Sequence, residues 1–118
     1  MPNANMLDLV HRYYGAYQSK DRQAIEQLLT DDFTFTSPYD DHIDRQLYFE
    51  RCWPNSETSR AYTIEKLFEQ GNEALVRYKA ELNTGKVFRN TELLRFNGNK
   101  IAEVDVYFGR TLKEASEK

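Results

Sequence analysis

Between positions 61 and 108 the chain alternates apolar and polar residues in a way that only a one-sided sheet satisfies. Val76, Tyr78, Ala80 and Leu82 alternate with Arg77, Lys79 and Glu81. Phe88, Leu94 and Phe96 stand in phase against Arg89, Thr91 and Arg95, and Val104, Val106 and Phe108 against Glu103, Asp105 and Tyr107. A period of two sends successive side chains to opposite faces, so each run is a strand with one buried and one charged side. The runs cover residues 61–69, 73–83, 86–96 and 100–108. The breaks between them, Gly71-Asn72, Thr84-Gly85 and Gly98-Asn99, are short and contain Gly, as hairpins require. The second half therefore predicts a four-stranded antiparallel meander covered on one face only.

The cover comes from the first half. Met6, Leu9, Val10, Tyr13, Tyr14 and Tyr17 recur at helical spacing, with Asn5 as the expected N-cap. Gly15 either weakens this helix or marks a close backbone approach. Lys20-Asp21 breaks it, Asp21 can cap a second helix, and Ala24, Ile25, Leu28 and Leu29 form that helix's buried stripe, giving a helical hairpin. Phe33 and Phe35 alternate with Thr34 and Thr36 as a strand, which Pro38 ends. An acidic turn at Asp40, Asp41 and His42 follows. Asp44 can cap a third helix whose apolar side is Tyr48, Phe49, Cys52 and Trp53, stopped by Pro54-Asn55-Ser56. The expected architecture is one domain over residues 1–118. It is an α+β, cone-shaped fold with three N-terminal helices packed on one face of a curved, mainly antiparallel sheet.

The totals exclude several functions. Sixteen basic and nineteen acidic residues leave a formal charge of -3, against nucleic acid as a partner. No apolar run approaches the roughly 20 residues of a membrane span. The start of the chain lacks the pattern of a signal peptide. Cys52, the only cysteine, rules out an internal disulfide and fits a cytoplasmic location. His11, His42 and Cys52 lack metal-ligand spacing, and Asp40, Asp41 and Asp44 lack that of a calcium loop. Phosphate-cradling Gly-rich loops and nucleophile elbows are missing, so neither metal nor cofactor is expected.

One residue breaks the pattern in an informative way. Glu92, with Asn90, falls on the apolar face of its strand. A carboxylate there carries a large desolvation cost unless it is paired, hydrogen-bonded or protonated.

Three segments resemble the nuclear transport factor 2-like superfamily, and within it the SnoaL-like and ketosteroid-isomerase-like proteins. They are His11-Arg12-Tyr13 through to Leu29-Thr30-Asp31-Asp32-Phe33-Thr34, then Thr36-Ser37-Pro38, then residues 92–101 followed by Val106-Tyr107-Phe108-Gly109. The resemblance spans residues 6–110. Ketosteroid isomerases use a general-base Asp and an oxyanion hole of a Tyr and a protonated Asp. By resemblance Tyr13 takes the place of that tyrosine and Glu92 that of the protonated acid. Ser37 stands where the base would be, so steroid isomerisation by that route is not expected. The resemblance also implies a homodimer through the outer sheet face.

The expected site has Tyr13 and Glu92 polarising a carbonyl oxygen, with Asp40 or Asp41 as base. Its pocket is expected to be lined by Tyr17, Phe33, Phe35, Ser37, Phe49, Trp53, Tyr78, Phe88, Asn90 and Phe108. The expected ligand is a hydrophobic, carbonyl-bearing small molecule, handled by isomerisation, cyclisation or hydration. Bland readings stand beside each assignment. Tyr13 can be a core tyrosine whose hydroxyl Glu92 satisfies, Glu92 a buried acid paired with Arg12 or another side chain, and Asp40-Asp41 a solvated turn. Asp44 then only caps a helix, and Trp53 is core or lining. The alternative function is a non-catalytic ligand-binding or dimeric interaction module of the same fold.

Overall fold

Two aspartates start the helices that cover the sheet. In the computed structural model, which describes residues 6–113, helix α1 (Met6–Ser19) buries Leu9, Val10, Tyr13, Tyr14, Ala16 and Tyr17. Its expected cap, Asn5, lies outside the described residues. Asp21 caps α2 (Arg22–Leu28) by accepting the Ala24 N–H at 3.1 Å. Asp44 caps α3 (Arg45–Arg51) by accepting the Leu47 N–H at 2.9 Å. Each cap satisfies a donor that the first helical turn leaves open. A 3-10 helix (Trp53–Thr58) with Pro54 in its first turn then leads into the meander.

The sheet extends the predicted meander by two strands. Strands β3 (Ser59–Gln70), β4 (Glu73–Leu82), β5 (Val87–Asn97) and β6 (Lys100–Lys113) pair antiparallel in sequence order. Strand β1 (Leu29–Ser37) lies parallel to β6, and β2 (Asp40–Asp44) lies antiparallel to β1, giving the open order β2-β1-β6-β5-β4-β3. The three helices pack with this curved sheet as an α+β cone. Leu9, Val10, Ile25, Leu29, Phe33, Tyr48, Val76, Leu94, Ile101 and Val104 are its most deeply buried apolar side chains.

Two local expectations need correction. Leu29 has extended backbone and opens β1 instead of closing α2. Its side chain is buried either way, so apolar periodicity does not separate the two. Asp40, Asp41 and His42 form part of an edge strand, and the turn is at Pro38-Tyr39. Ser37 Oγ accepts the Tyr39 N–H at 3.1 Å, and Thr36 Oγ1 accepts the His42 N–H at 2.9 Å. The register shifts between Phe35 and Ser37, and His42 has a positive φ of 52°. A short, charged, irregular strand is how natural sheets end without inviting further pairing.

A bulge shapes the far end of the meander. Phe88 pairs with Thr111 and Asn90 with Phe108, so Gly109 and Arg110 together face Arg89. An extra residue of this kind bends a strand and strengthens its twist. A Cβ on Gly109 would run into the backbone carbonyl of Arg89, so only glycine fits there. Gly15, by contrast, has open space where a Cβ would stand. Gly15→Ala is therefore expected to stabilise the fold by about 1 kcal/mol through helix propensity. Gly109→Ala should destabilise it by about 1–3 kcal/mol through overpacking. Urea denaturation of the two variants against the parent checks both signs.

Candidate functional site

Curvature of the sheet leaves a cavity of about 670 Å³ between its inner face and the helices. Helix α1 supplies Tyr13, Tyr14 and Tyr17, β1 supplies Phe35 and Ser37, and the 3-10 helix supplies Asn55 and Thr58. The meander supplies Tyr62, Tyr78, Phe88, Asn90, Glu92, Val106 and Phe108. Cross-strand register aligns Tyr78, Asn90 and Phe108 in one row and Val76, Glu92 and Val106 in the next. That alignment puts Asn90 and Glu92 on the cavity wall among apolar neighbours.

Glu92 is 6% exposed, and tyrosines hold both of its oxygens. The Tyr14 hydroxyl donates to Oε1 at 2.6 Å and the Tyr78 hydroxyl to Oε2 at 2.7 Å. Asn90 Nδ2 donates to the Tyr78 hydroxyl at 3.3 Å, while Asn90 Oδ1 accepts the Gly109 N–H at 3.1 Å. The bulge thus fixes Asn90, Asn90 supports Tyr78, and Tyr78 supports Glu92. The anticipated pairing of Glu92 with Tyr13 is corrected: the partner from α1 is the next residue, Tyr14. Both tyrosines lie on the buried stripe, but neighbours on a helix point about 100° apart, so only one meets β5. Of the two alternatives, Arg12 or another side chain, the structure gives the second: Arg12 is exposed, and both carboxyl oxygens accept from tyrosine hydroxyls.

Tyr13 has a different role. Its hydroxyl lies 2.8 Å from that of Tyr48 on α3, which also bonds the Tyr17 hydroxyl. Three protons serve two bonds in this chain, so one hydroxyl proton remains for a third acceptor. Tyr13 and Tyr17 line the cavity, and fully buried Tyr48 links them behind it. Burial, more than any other influence, pushes all three phenols well above their ordinary range. They are hydroxyl donors and acceptors, not phenolates.

The rim divides the two candidate bases. Asp40 lines the cavity, and its Oδ1 lies 2.7 Å from Arg51 Nη2, itself a lining residue. Asp41 is exposed and does not line it; its Oδ1 lies 2.6 Å from His42 Nδ1, and that bond raises the imidazole pKa. Ser37 lines the cavity near Asp40. Phe33, Phe49 and Trp53 do not line it. Phe33 is sealed against the Tyr48 ring at 5.0 Å. Phe49 lies under the Arg22 guanidinium at 4.5 Å, and Trp53 packs on Tyr17 at 4.9 Å. Cys52 does line it, but burial pushes its thiol up to about 12, which leaves no thiolate nucleophile. Among the described residues no group of three or more His, Cys, Asp or Glu side chains is placed to hold a metal ion.

A family model for the SnoaL-like domain matches residues 10–104, most of the chain. The chain belongs to the SnoaL-like family. Solved structures agree on the fold. A nuclear transport factor 2-like protein from Cytophaga hutchinsonii superposes with a TM-score of 0.74 at 25% identity, over 88% of this chain and 89% of its own. An LEH-like epoxide hydrolase from M. tuberculosis does so with a TM-score of 0.75 at 14% identity, over 90% and 84%. A protein of ketosteroid isomerase-like fold from Catenulispora acidiphila gives 0.70 at 16% identity, over 86% and 85%. The sequence matches none of the curated proteins. Among the described residues no helix is long and apolar enough to cross a membrane.

Electrostatics single out Glu92 within this SnoaL-like cone. Desolvation raises its pKa, and the two tyrosine bonds, which favour the anion, only partly offset that. With Glu92 ionised, two tyrosine protons serve two bonds and nothing is left to donate. With Glu92 protonated, three protons serve the same two bonds and one is free for a ligand. The tyrosine–glutamate cluster therefore becomes a donor when it takes up a proton.

A stability effect follows from the raised pKa. The folded chain holds the Glu92 proton at a pH where the unfolded chain has released it. This contribution is fully present below the ordinary value of 4.5 and is lost as pH rises through the folded value. Glu92→Gln removes the titration. The variant should gain on the parent as pH rises from 4 to 8 in paired urea titrations. A pH-independent difference would show that Glu92 titrates alike in both states.

Proposed function

We propose that this SnoaL-like chain binds a hydrophobic, carbonyl-bearing small molecule in its cone and acts on it by cofactor-free acid–base chemistry, as an isomerase, cyclase or hydratase. The observation that carries this reading is the buried carboxyl of Glu92, clamped by Tyr14 and Tyr78 on the wall of an aromatic cavity. Neutral Glu92 gives the cluster a surplus proton, and a ligand carbonyl is the acceptor that uses it. Donors aimed at an oxygen where charge develops stabilise an enolate more strongly in a water-poor site than in solution. Asp40, on the same cavity, is the base that would take a proton from the carbon beside that carbonyl.

A second reading is a non-catalytic ligand-binding module of the same fold. Asp40 already has an ion-pair partner in Arg51, and Ser37 offers only a hydroxyl. A homodimer through the outer sheet face is part of the proposal in either case. Phe68, Leu75 and Tyr107 are exposed. Arg89 pairs with Glu65 and Arg95 with Glu103 within the chain, so apolar side chains would supply most of that contact. A cytoplasmic location is likewise proposed, on the unpaired Cys52.

Acetylnaphthalene and ethylnaphthalene, alike but for the carbonyl, provide the test. Thermal shift and calorimetry should show the ketone binding more tightly at low pH and losing that advantage as pH rises. Glu92→Gln should make its affinity independent of pH. Equal affinity for the two compounds at every pH would overturn the carbonyl role. For a turned-over ketone, Asp40→Asn should preserve binding and lower the rate by about 10²–10⁴-fold, the usual contribution of a general base. An unchanged rate would remove Asp40 as the base.

A further inference from the structure

Four charged residues line the cavity: Asp40, Arg51, Lys86 and Glu92. Asp40 and Arg51 pair with each other, and tyrosine hydroxyls hold both oxygens of Glu92, which has no counter-ion among the described residues. Lys86 is different. It has no carboxylate partner among the described residues, and its ammonium lies 5.9 Å from the centre of the Phe88 ring, another lining residue. An ammonium over an aromatic face is held in place without being neutralised. The chain carries a net negative charge, yet among the described residues its cavity is lined by an ammonium, that of Lys86, with no ion-pair partner.

Position sharpens the contrast. Lys86 precedes β5 at the turn that joins it to β4, whereas Glu92 lies well inside that strand. At about 3.4 Å per residue, roughly 17 Å of strand separates Val87 from Glu92. Lys86 is half-buried beside the exposed turn residues Asn83 and Thr84, whereas Glu92 is buried, so Lys86 marks the outer end of the cavity and Glu92 the inner end. Exposed Tyr39 and Phe108, 5.4 Å apart and edge to face, also line the cavity and offer apolar surface near its mouth.

From this arrangement we infer that the ligand is a hydrophobic anion, such as a carboxylate, whose neutral oxygen end enters toward Glu92 while its anionic group stays at the mouth against Lys86. The inference rests on the reading of the cone as a small-molecule site and adds the substrate class. It also sets an orientation. The reverse pose would put an anion beside a desolvated carboxyl and strand the lysine.

Two fluorescent probes test this: anilinonaphthalene sulfonate, an anion, and phenylnaphthylamine, its neutral counterpart. Both are titrated into the full chain as parent, Lys86→Gln and Lys86→Arg, with mutual displacement used to establish a shared site. Lys86→Gln is expected to weaken the sulfonate about fivefold, the upper range for a partly exposed charge pair, and to leave the neutral probe unchanged. Lys86→Arg should restore most of the loss. Added salt should weaken the sulfonate alone. Equal effects of Lys86→Gln on both probes, or none on either, would overturn the anion assignment while leaving the binding reading intact. Failure of both probes to bind the parent chain would sink the two together.

Discussion

A carboxyl group taken out of water has to be held by something, and here two phenols hold it. Glu92 is buried on the inner face of β5 and accepts from Tyr14 and Tyr78, at 2.6 and 2.7 Å. That clamp joins helix α1 to two neighbouring strands of the meander. It also sets a limit on the rest of the cone. Leaving one oxygen unpaired would cost the desolvation of a charged group, or force the carboxyl to keep its proton. Burial strips the carboxyl of most of its water, and the tyrosine hydroxyls replace only part of what water gave. The result is an acid whose pKa is raised, and in its protonated form it can serve as a donor.

The support behind the clamp is layered. Gly109 lets β6 pass close to Arg89, and the resulting bulge presents an N–H to Asn90. Asn90 in turn bonds Tyr78. On the helical side, Tyr48 ties α3 to α1 through the hydroxyls of Tyr13 and Tyr17. Polar groups inside a small core are costly when half satisfied, and fully connected they fix a single arrangement. These two networks reach the aromatic cavity from opposite sides, one from the sheet and one from the helices.

Family membership and fold agree, and neither names a reaction. The same cone occurs in an epoxide hydrolase and in a protein of ketosteroid isomerase-like fold, at identities that speak only to architecture. Among the described residues, the buried carboxyl of Glu92 has no counter-ion, an Asp40–Arg51 pair lines the cavity beside Ser37, and Lys86 lines it with no ion-pair partner.

The sequence by itself determined the strand faces, the hairpin breaks, two of the helix caps and the oddity of Glu92. All of these are local: a period of two, a glycine in a turn, or an aspartate before a helix acts over a few residues. From them, and from the resemblance they carried, the α+β cone and the SnoaL-like family were legible. Tertiary structure alone decided which tyrosine reaches Glu92. Tyr13 and Tyr14 share one apolar stripe, and only the rotation of α1 against the sheet separates them. It also decided that β1 lies parallel to β6, a pairing between residues some 70 positions apart that no local pattern encodes. Finally, it drew Phe33, Phe49 and Trp53 out of the cavity wall and brought Tyr62 into it. An apolar residue satisfies its pattern equally well in a packed core and against an empty space.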